Sequence, residues 1–503
     1  MDNEKYLFRR QFVLGPSYIK SFPKWNRVSI NDKFFLSVHP DLNVLKVTFK
    51  ENTIILLGYI LDPLNHSFNN QDIINSVAEK ISVADDIFQY IDSMCGRFVF
   101  IVKINDEVRI FNDAAGYRQI FYYTDDKNNL WCGSQPSIIA EEFGLGTDQS
   151  MAEDLSKLPL IRDEGARWYP GNITLYKGIY HLTPNHYLDL KSGEVKRYWP
   201  VKSLETISPE KAAEYSSKLL QGAFESAFQR YNLALTVTAG YDTRVLLAAC
   251  KMLREKIHYL THTHGDLDEN GSDIQIPRKL LERYGLKHHI AHHSNRVDDD
   301  FQIIFKRNVT GAKDLHSKNA NAFLKYFESI GTEMVVAQGE AGGLGKRFYR
   351  LPPFFRVNEK TLATVVGMRG SRTAERAIGE WLKSANQTVN SGINILDLLY
   401  WEMRLGNWST LAVSSYDIVF ETLLPFNCRK LLECFISVDI NYRLTKKNTH
   451  LCLIEHMWPE LLEFPLNPAV TKKDEIMTKI KGKEFYGKLR FLKFTYHYLF
   501  GSK

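Results

Sequence analysis

A short run of small and hydroxyl-bearing residues, Thr238 to Thr243, has the composition of a site for a phosphate-like anion. It follows the apolar stretch 232–237 and precedes a helical pattern that continues to Cys250. Small side chains let backbone N–H groups approach an anion, the two threonine hydroxyls can donate to it, and the helix offers its positive end. The spacing is neither that of a Walker loop nor that of a dinucleotide fingerprint. Phosphate or pyrophosphate is therefore the expected ligand, although an ordinary strand-to-helix turn would explain this run equally well on its own.

The residues around this loop predict alternating strands and helices. A second strand-like run covers Ile257–Thr263, and a helical run follows from Ser272 to His289. A third apolar run, Met334–Gln338, leads into the glycine-rich turn Gly339–Gly345. This alternation is typical of a parallel sheet that binds ligands at the carboxyl ends of its strands.

The first 200 residues show a different pattern. Cys95–Val102 and Val108–Asp113 read as strands on either side of the turn Asn105–Asp106, which predicts a hairpin. Helical periodicity dominates after residue 200, where Ser208 followed by Pro209 is typical of a helix start. We therefore predict two domains, residues 1–200 and 201–503.

Together these segments resemble the asparagine synthetase family, in which a class II glutamine amidotransferase domain precedes an ATP-pyrophosphatase-type synthetase domain. Thr238–Thr243 resembles the family's pyrophosphate loop Ser-Gly-Gly-x-Asp-Ser, and Gly339–Leu344 resembles its Gly-Glu-Gly-Ser/Ala-Asp-Glu stretch. Leu424–Arg429 and Gly116–Tyr123 resemble the family's Pro-Phe-Leu-Asp-x-Arg and Gly-x-Arg-Pro-Leu-Tyr-Tyr segments. The resemblance covers nearly the whole chain. It implies an α+β Ntn-type amidotransferase-like sandwich followed by an α/β parallel-sheet synthetase domain with a helical C-terminus.

The resemblance also implies an activity, an ATP-dependent ligase that adenylates a carboxylate and joins it to an amine, releasing AMP and pyrophosphate. It implies that Asp242 binds Mg²⁺ and that Glu340 orients or deprotonates the amine, with Lys472 and Lys473 as weaker candidates for stabilising the adenylate. Plain alternatives remain, because Asp242 can cap the helix and Glu340 can be a solvated turn residue. The residues expected to bind ATP and its pyrophosphate are Thr238, Ala239, Gly240, Tyr241, Asp242, Thr243 and Gly339.

Two departures from the family bear on this activity. Asp2 stands where the family's amidotransferases carry a catalytic cysteine, and Cys95 and Cys132 lie in apolar strand contexts that favour inert thiols. We therefore expect an inactive glutaminase and an amine from elsewhere: free ammonia, an amino acid, an amino sugar or the substrate itself. In the glycine-rich turn, Gly343 and Leu344 replace a metal-binding Asp and a Glu. The alternative function is therefore a catalytically inactive synthetase-like binding or scaffold protein.

The composition is that of a globular enzyme, with 503 residues, 44% hydrophobic and 24% charged. A net charge of +6 favours anionic small molecules, and no nucleic-acid-binding motif is present. Six cysteines without paired spacing and no signal-peptide pattern predict a cytoplasmic protein. Histidines near 262 and 288 lack the spacing of zinc ligands. Lys472–Lys503 mixes basic and aromatic residues, which favours a helix packed on the core over peripheral membrane contact. A homodimer is left open.

Overall fold

The computed structural model describes residues 3–162, 168–263, 269–294, 296–311, 314–352, 354–444, 448–468 and 484–501. Asp2, Lys472 and Lys473 lie outside the described residues, as does most of the segment that precedes the last helix. The described strands are β1 (Phe12–Gly15), β2 (Asn26–Ser29), β3 (Phe35–Val38), β4 (Val44–Phe49), β5 (Asn52–Leu61), β6 (Cys95–Ile104), β7 (Glu107–Asn112), β8 (Phe121–Thr124), β9 (Leu130–Gly133), β10 (Tyr180–His181), β11 (His186–Asp189), β12 (Val195–Arg197), β13 (Leu233–Thr236), β14 (His258–His262), β15 (His288–Ala291), β16 (Val335–Ala337) and β17 (Thr422–Leu423).

Helices carry most of the second half of the chain. The α-helices are α1 (Asn3–Tyr6), α2 (Asn70–Lys80), α3 (Asp86–Tyr90), α4 (Pro136–Phe143), α5 (Gln149–Ser156), α6 (Pro159–Arg162), α7 (Pro209–Phe228), α8 (Tyr241–Ala249), α9 (Ser272–Arg283), α10 (Asp299–Asn308), α11 (Asp314–Ile330), α12 (Glu359–Val365), α13 (Arg372–Ala385), α14 (Ile395–Leu399), α15 (Thr410–Ser414), α16 (Arg429–Ser437), α17 (Ile440–Arg443), α18 (Thr449–Met457) and α19 (Glu484–Phe500). Short 3₁₀ turns cover Lys251–Lys256, Gly342–Gly345, Asn386–Ser391 and Pro459–Glu463, and a π-helix covers Tyr400–Ser409.

The first twelve strands form two antiparallel six-stranded sheets, with the orders β10-β8-β9-β1-β3-β2 and β12-β11-β7-β6-β5-β4. Alternate residues of β5 face opposite sides, as the two-residue period of a strand requires. Ile55 and Leu57 pack between the sheets with Phe12, whereas Ile54 and Leu56 pack against α2. Both faces of the second sheet are therefore covered, which explains why β5 and β6 are apolar along nearly their whole length. The predicted hairpin is confirmed as β6 and β7.

The second half contains a parallel sheet of five strands in the order β15-β14-β13-β16-β17. The predicted alternation of strands and helices is confirmed by β13, α8, β14, α9 and β15. The predicted helix start is also confirmed, because the Ser208 hydroxyl accepts the Lys211 N–H at 3.2 Å at the beginning of α7. β13 lies in the middle of this sheet, and the candidate loop follows its carboxyl end.

Buried polar contacts join the sandwich to the parallel-sheet half. Arg97 donates from Nη2 to Asp417 Oδ2 at 2.8 Å, and Arg118 Nη2 contacts both carboxylate oxygens of Glu421 at 2.8 and 2.9 Å. Asn427 Nδ2 donates to Asp113 Oδ1 at 2.8 Å. These contacts hold the sandwich against the segments directly before and after β17.

Candidate active site

The candidate loop connects β13 to α8 and is closed by its own hydroxyls. Thr238 Oγ1 and Thr243 Oγ1 lie 2.9 Å apart, and Thr243 Oγ1 accepts the Thr238 N–H at 3.2 Å. The Gly240 N–H donates to Thr238 Oγ1 at 3.1 Å. The two hydroxyls predicted to face an anion therefore bind each other here and hold the loop in a tight turn.

The loop still offers donors to an anion. Gly240 is the N-cap residue of α8, and as a glycine it has no side chain that could cap the helix. The Ala239 N–H donates to Asp273 Oδ1 at 2.9 Å, so one loop amide already binds an anionic oxygen. Uncapped N–H groups at a helix start, next to an amide that holds a carboxylate, are the arrangement that binds phosphate groups.

Neighbouring charges strongly shift the pKa of Asp242, a carboxylate of this site. Its Oδ2 accepts from Lys346 Nζ at 3.0 Å, and His450 Nε2 lies 2.8 Å from its Oδ1. The histidine contact is short but not aligned for a hydrogen bond, which leaves the buried Oδ1 without a hydrogen-bond partner among the described residues. Burial acts to raise the pKa of Asp242, but the Lys346 ammonium and His450 outweigh it and hold that pKa well below its ordinary value. The side chain is therefore ionised, although only 31% of it is exposed.

Glu340 lies beside Asp242, and its pKa is shifted in the opposite direction. Burial raises the pKa of Glu340, and the negative charge of Asp242 adds to that increase, against the lowering effects of Ser409 and Arg404. Ser409 donates its hydroxyl to Glu340 Oε2, and Tyr117 of the sandwich lies 3.0 Å from Ser409 Oγ. Two neighbouring carboxylates with pKa values pushed apart are typical of acid–base sites.

Glycines let the turn after β16 approach the loop. A Cβ on Gly339 would lie 2.9 Å from Asp242 Cβ, and one on Gly342 would lie 2.6 Å from Asp242 Oδ1. A Cβ on Gly343 would lie 2.2 Å from the Tyr400 hydroxyl. The space into which a side chain at position 343 would project is therefore filled by the Tyr400 hydroxyl.

The π-helix Tyr400–Ser409 delivers three polar side chains to this site. Ser409 contacts Glu340, the Tyr400 hydroxyl lies against Gly343, and Arg404 is close enough to lower the pKa of Glu340. A π-helix widens each turn and is frequently found at functional sites. Ten residues of this geometry are unusual, because π-helical segments are ordinarily single-turn bulges.

The structure thus brings the predicted loop residues together with Gly339 and Glu340 around Asp242. The prediction did not include Lys346, His450, Asp273, Tyr400 or Arg404. Lys346 carried a usable signal, because it directly follows the glycine-rich turn. The others lie on elements distant along the chain, and nothing in their local sequence marks them. Among the described residues, no cluster of three or more His, Cys, Asp and Glu side chains is arranged to hold a metal.

The cysteines of the chain show no features of a nucleophile. Five of the six are buried and Cys452 is half-buried. Burial raises the pKa of the Cys95 and Cys132 thiols, and Cys95 is further influenced by neighbouring Cys428. A nucleophilic cysteine needs a lowered thiol pKa and access to solvent. The interpretation of Cys95 and Cys132 as buried thiols is therefore confirmed.

The last helix, α19, packs part of its aromatic side on the protein. Phe355 contacts the rings of Phe491, Phe494 and Tyr498, with ring centroids 6.0, 4.8 and 5.1 Å away. Leu492, Tyr496, Leu499 and Phe500 remain exposed on the same helix. In the parts of the chain that the structure describes, no helix has the length and apolar character needed to cross a bilayer.

The fold and candidate site define a protein in which an antiparallel sandwich is joined to a parallel-sheet unit with a strand–loop–helix turn at the carboxyl end of β13. No known protein family and no curated protein matches the chain. Among solved structures, it is similar to a glutamine phosphoribosylpyrophosphate amidotransferase from B. subtilis, with 9% identity over 74% of this chain and 73% of that one and a TM-score of 0.25.

Two synthetases are also similar, each over a smaller part of this chain. An NH3-dependent NAD synthetase from Campylobacter jejuni has 14% identity over 39% of this chain and 94% of its own, with a TM-score of 0.22. A glutamine-dependent NAD+ synthetase from Acinetobacter baumannii has 11% identity over 49% of this chain and 57% of its own, with a TM-score of 0.21. Scores this low establish neither a family nor an activity.

Proposed function

We propose that this protein is an ATP-dependent, AMP- and pyrophosphate-forming amide ligase that adenylates a carboxylate and joins it to an amine. The observation that carries the proposal is the position of Asp242 and Lys346, an ion pair at 3.0 Å, beside an uncapped helix start and next to Glu340. This arrangement combines a candidate anion-binding loop, a lysine cation and a carboxylate of raised pKa in one place.

The loop side of the site suits the nucleotide. The N–H groups at the start of α8 would bind the pyrophosphate portion, and the Lys346 ammonium would move from Asp242 to a phosphate oxygen. Donors already fixed where negative charge develops are the main source of catalytic stabilisation in such sites. Asp273 would then release the Ala239 N–H to the phosphate, because both oxygens compete for one donor.

The residues present fit a Mg²⁺ ion held largely by the substrate. Asp242 Oδ1 is an ionised oxygen without a hydrogen-bond partner among the described residues, and it is the ligand type that Mg²⁺ prefers. Mg²⁺ needs only one or two protein carboxylates when phosphate oxygens and water complete its shell. The ion, when bound, would supply charge neutralisation at the phosphates. Lys346 supplies part of the same charge from the protein.

The carboxylate of Glu340 is suited to act on the amine. In the second step the amine nitrogen attacks the acyl-adenylate carbon, a C–N bond forms, and the bond from that carbon to the AMP oxygen breaks. Glu340 would accept the proton that the nitrogen loses, and its raised pKa favours that role. The buried thiols supply no glutaminase nucleophile, so the amine would arrive as a free substrate.

The proposal is tested by ATP-dependent thermal stabilisation and by exchange of labelled pyrophosphate into ATP over a panel of carboxylic acids. Asp242→Asn and Lys346→Met should abolish exchange, since both remove charge from the phosphate site. Glu340→Gln should retain exchange while amide formation falls by about 10²-fold or more, because its role is on the amine. Lys218→Met is the matched control, as Lys218 pairs with Glu214 at 2.9 Å on an exposed helix face.

Two outcomes would contradict the proposal: release of ADP in place of AMP, and equal loss of exchange in all three site variants. The alternative of a catalytically inactive binding or scaffold protein is favoured by one observation, the Tyr400 hydroxyl in the space of the family's metal-binding Asp. Absence of any stabilisation by ATP with Mg²⁺ would favour it, because a ligand that binds only the folded state must stabilise it.

A further inference from the structure

We infer that the amine substrate is an α-amino acid, whose carboxylate binds Arg404 while its amino group lies at Glu340. The reaction in this inference rests on the proposed function. The binding step stands on its own contacts and can be measured without ATP.

The guanidinium of Arg404 has aromatic neighbours and no acceptor among the described residues. Its side chain stacks on Trp408, 3.5 Å from the ring centroid, and lies 5.4 Å from the ring centroid of Phe348. These rings fix the position of the group while leaving its N–H edge unused. Among the described residues, no oxygen lies within hydrogen-bond or ion-pair distance of it. An arginine held on aromatic faces with a free fork is suited to bind a carboxylate through two parallel hydrogen bonds.

Glu340 supplies the opposite charge near Arg404. Arg404 influences the ionisation of Glu340 but makes no ion pair with it, so the two charges are near without being in contact. Arg404 and Ser409 are five residues apart in the π-helix, which is the hydrogen-bond spacing of that helix, so Arg404 lies one turn from the side chain that donates to Glu340. A cation and an anion that are near each other without contact match a zwitterion, with its carboxylate toward Arg404 and its ammonium toward Glu340. Free ammonia or a simple amine would leave the Arg404 fork unused.

The same arrangement fits the chemistry of the second step. Proton transfer from the bound ammonium to Glu340 gives the neutral amine that attacks the acyl-adenylate, and the second proton that the nitrogen loses passes to the departing AMP phosphate or to water as the bond from the acyl carbon to the AMP oxygen breaks. The carboxylate of the amino acid takes no part and stays on Arg404, which holds the nitrogen in place. The product would be an N-acyl amino acid. Positioning of this kind contributes to rate by fixing the attacking atom in reach of the carbonyl.

The test is calorimetric titration of the full-length protein with each of the twenty standard L-amino acids and with the matching decarboxylated amines. At least one amino acid should bind, and its decarboxylated amine should bind at least about tenfold more weakly. Arg404→Met should remove that preference, and Arg404→Lys should restore part of it because it returns the charge without the fork. The control is Arg356→Met, which removes an exposed arginine elsewhere on the surface.

The inference is overturned if no amino acid binds, if the decarboxylated amine binds equally well, or if Arg404→Met leaves the preference unchanged. Each variant is also titrated with ATP and Mg²⁺. Loss of amino acid binding together with retained ATP binding confirms that Arg404→Met is folded and supports the inference. Amino acid binding that depends on Arg404 in a protein that does not bind ATP would support the binding site and contradict the proposed ligase.

Discussion

The boundary between the two halves and the candidate active site use arginine in opposite ways. Arg97 is buried at the boundary, where it donates to Asp417, Glu421 and the Tyr117 carbonyl. Arg404 lies in the candidate site, where its guanidinium contacts the rings of Phe348 and Trp408 and has no acceptor among the described residues. Burying a charge costs several kcal/mol unless partners surround it, so a structural arginine must be satisfied within the protein. A binding arginine can keep its donors unpaired where it is only half-buried, and this distinction separates the two roles.

The largest expected effect comes from breaking the boundary network. Arg97→Met should lower the free energy of unfolding by about 3–5 kcal/mol, because it leaves the carboxylates of Asp417 and Glu421 with one fewer partner in a buried setting. Urea unfolding followed by circular dichroism measures the change. The paired variant, Arg404→Met, should change that free energy by no more than about 0.5 kcal/mol. A loss for Arg404→Met as large as that for Arg97→Met would remove the distinction between the two arginines.

A smaller loss of stability is expected at Gly343, where the candidate active site is tightly packed. Gly343→Ala should cost about 1–3 kcal/mol, because its Cβ would lie 2.2 Å from the hydroxyl of Tyr400, whose ring is held by Phe348 and Tyr349. The measurement is again urea unfolding. Gly146→Ala is the control, since nothing lies within 4 Å of a Cβ at that position.

Removing the hydroxyl tests the cause of that cost. Gly343→Ala combined with Tyr400→Phe should lose clearly less stability than the sum of the two single variants, because the clashing oxygen is gone. Simple additivity would show that Tyr400 does not fill this space, and would reopen the position to a metal ligand.

The smallest effect for a single step of the measurement, about 1.4 kcal/mol for each pH unit, is a pH dependence at the contact between the sandwich and the π-helix. His181 Nδ1 lies 2.6 Å from Asn407 Oδ1, and burial lowers the pKa of His181 to about 4 against a partial increase from that contact. The unfolded chain binds a proton below about pH 6.5, while the folded protein does not until about pH 4. This histidine therefore stabilises the fold fully above pH 6.5, and the contribution falls by about 1.4 kcal/mol per pH unit between those values.

Unfolding free energies at pH 6.5, 5.5 and 4.5 check this slope. His181→Gln should reduce the slope by the amount of one histidine, whereas His292→Gln, at an exposed position, should leave it unchanged. The wild-type slope will exceed that of one group, because burial also lowers the pKa values of His39, His258 and His288 to about 4. An identical slope for wild type and His181→Gln would contradict the assignment.

Much of the fold was predictable from local patterns. Strand-like runs on either side of the turn Asn105–Asp106 predicted β6 and β7, and the cap at Ser208 predicted the start of α7, because both signals involve neighbours along the chain. The loop after β13 was predicted for the same reason. The orders of strands in the three sheets were not predictable, since pairing joins segments that lie far apart, as β13 and β16 do. The π-helix was not predictable either, because its register depends on what it packs against.

The sequence by itself determined the strand–loop–helix unit and the chemical types of Asp242 and Glu340, because spacing and side-chain type are local properties. Only the tertiary structure decided which groups those carboxylates contact and in which direction their pKa values shift. Lys346 reaches Asp242 from 104 residues away, and Ser409 reaches Glu340 from 69 residues away. Burial, opposing charge and, within the part of the chain that the structure describes, the lack of an acceptor for Arg404 arise from packing between distant elements. A carboxylate's pKa and an arginine's free donors are set by that packing, and no sequence interval encodes them.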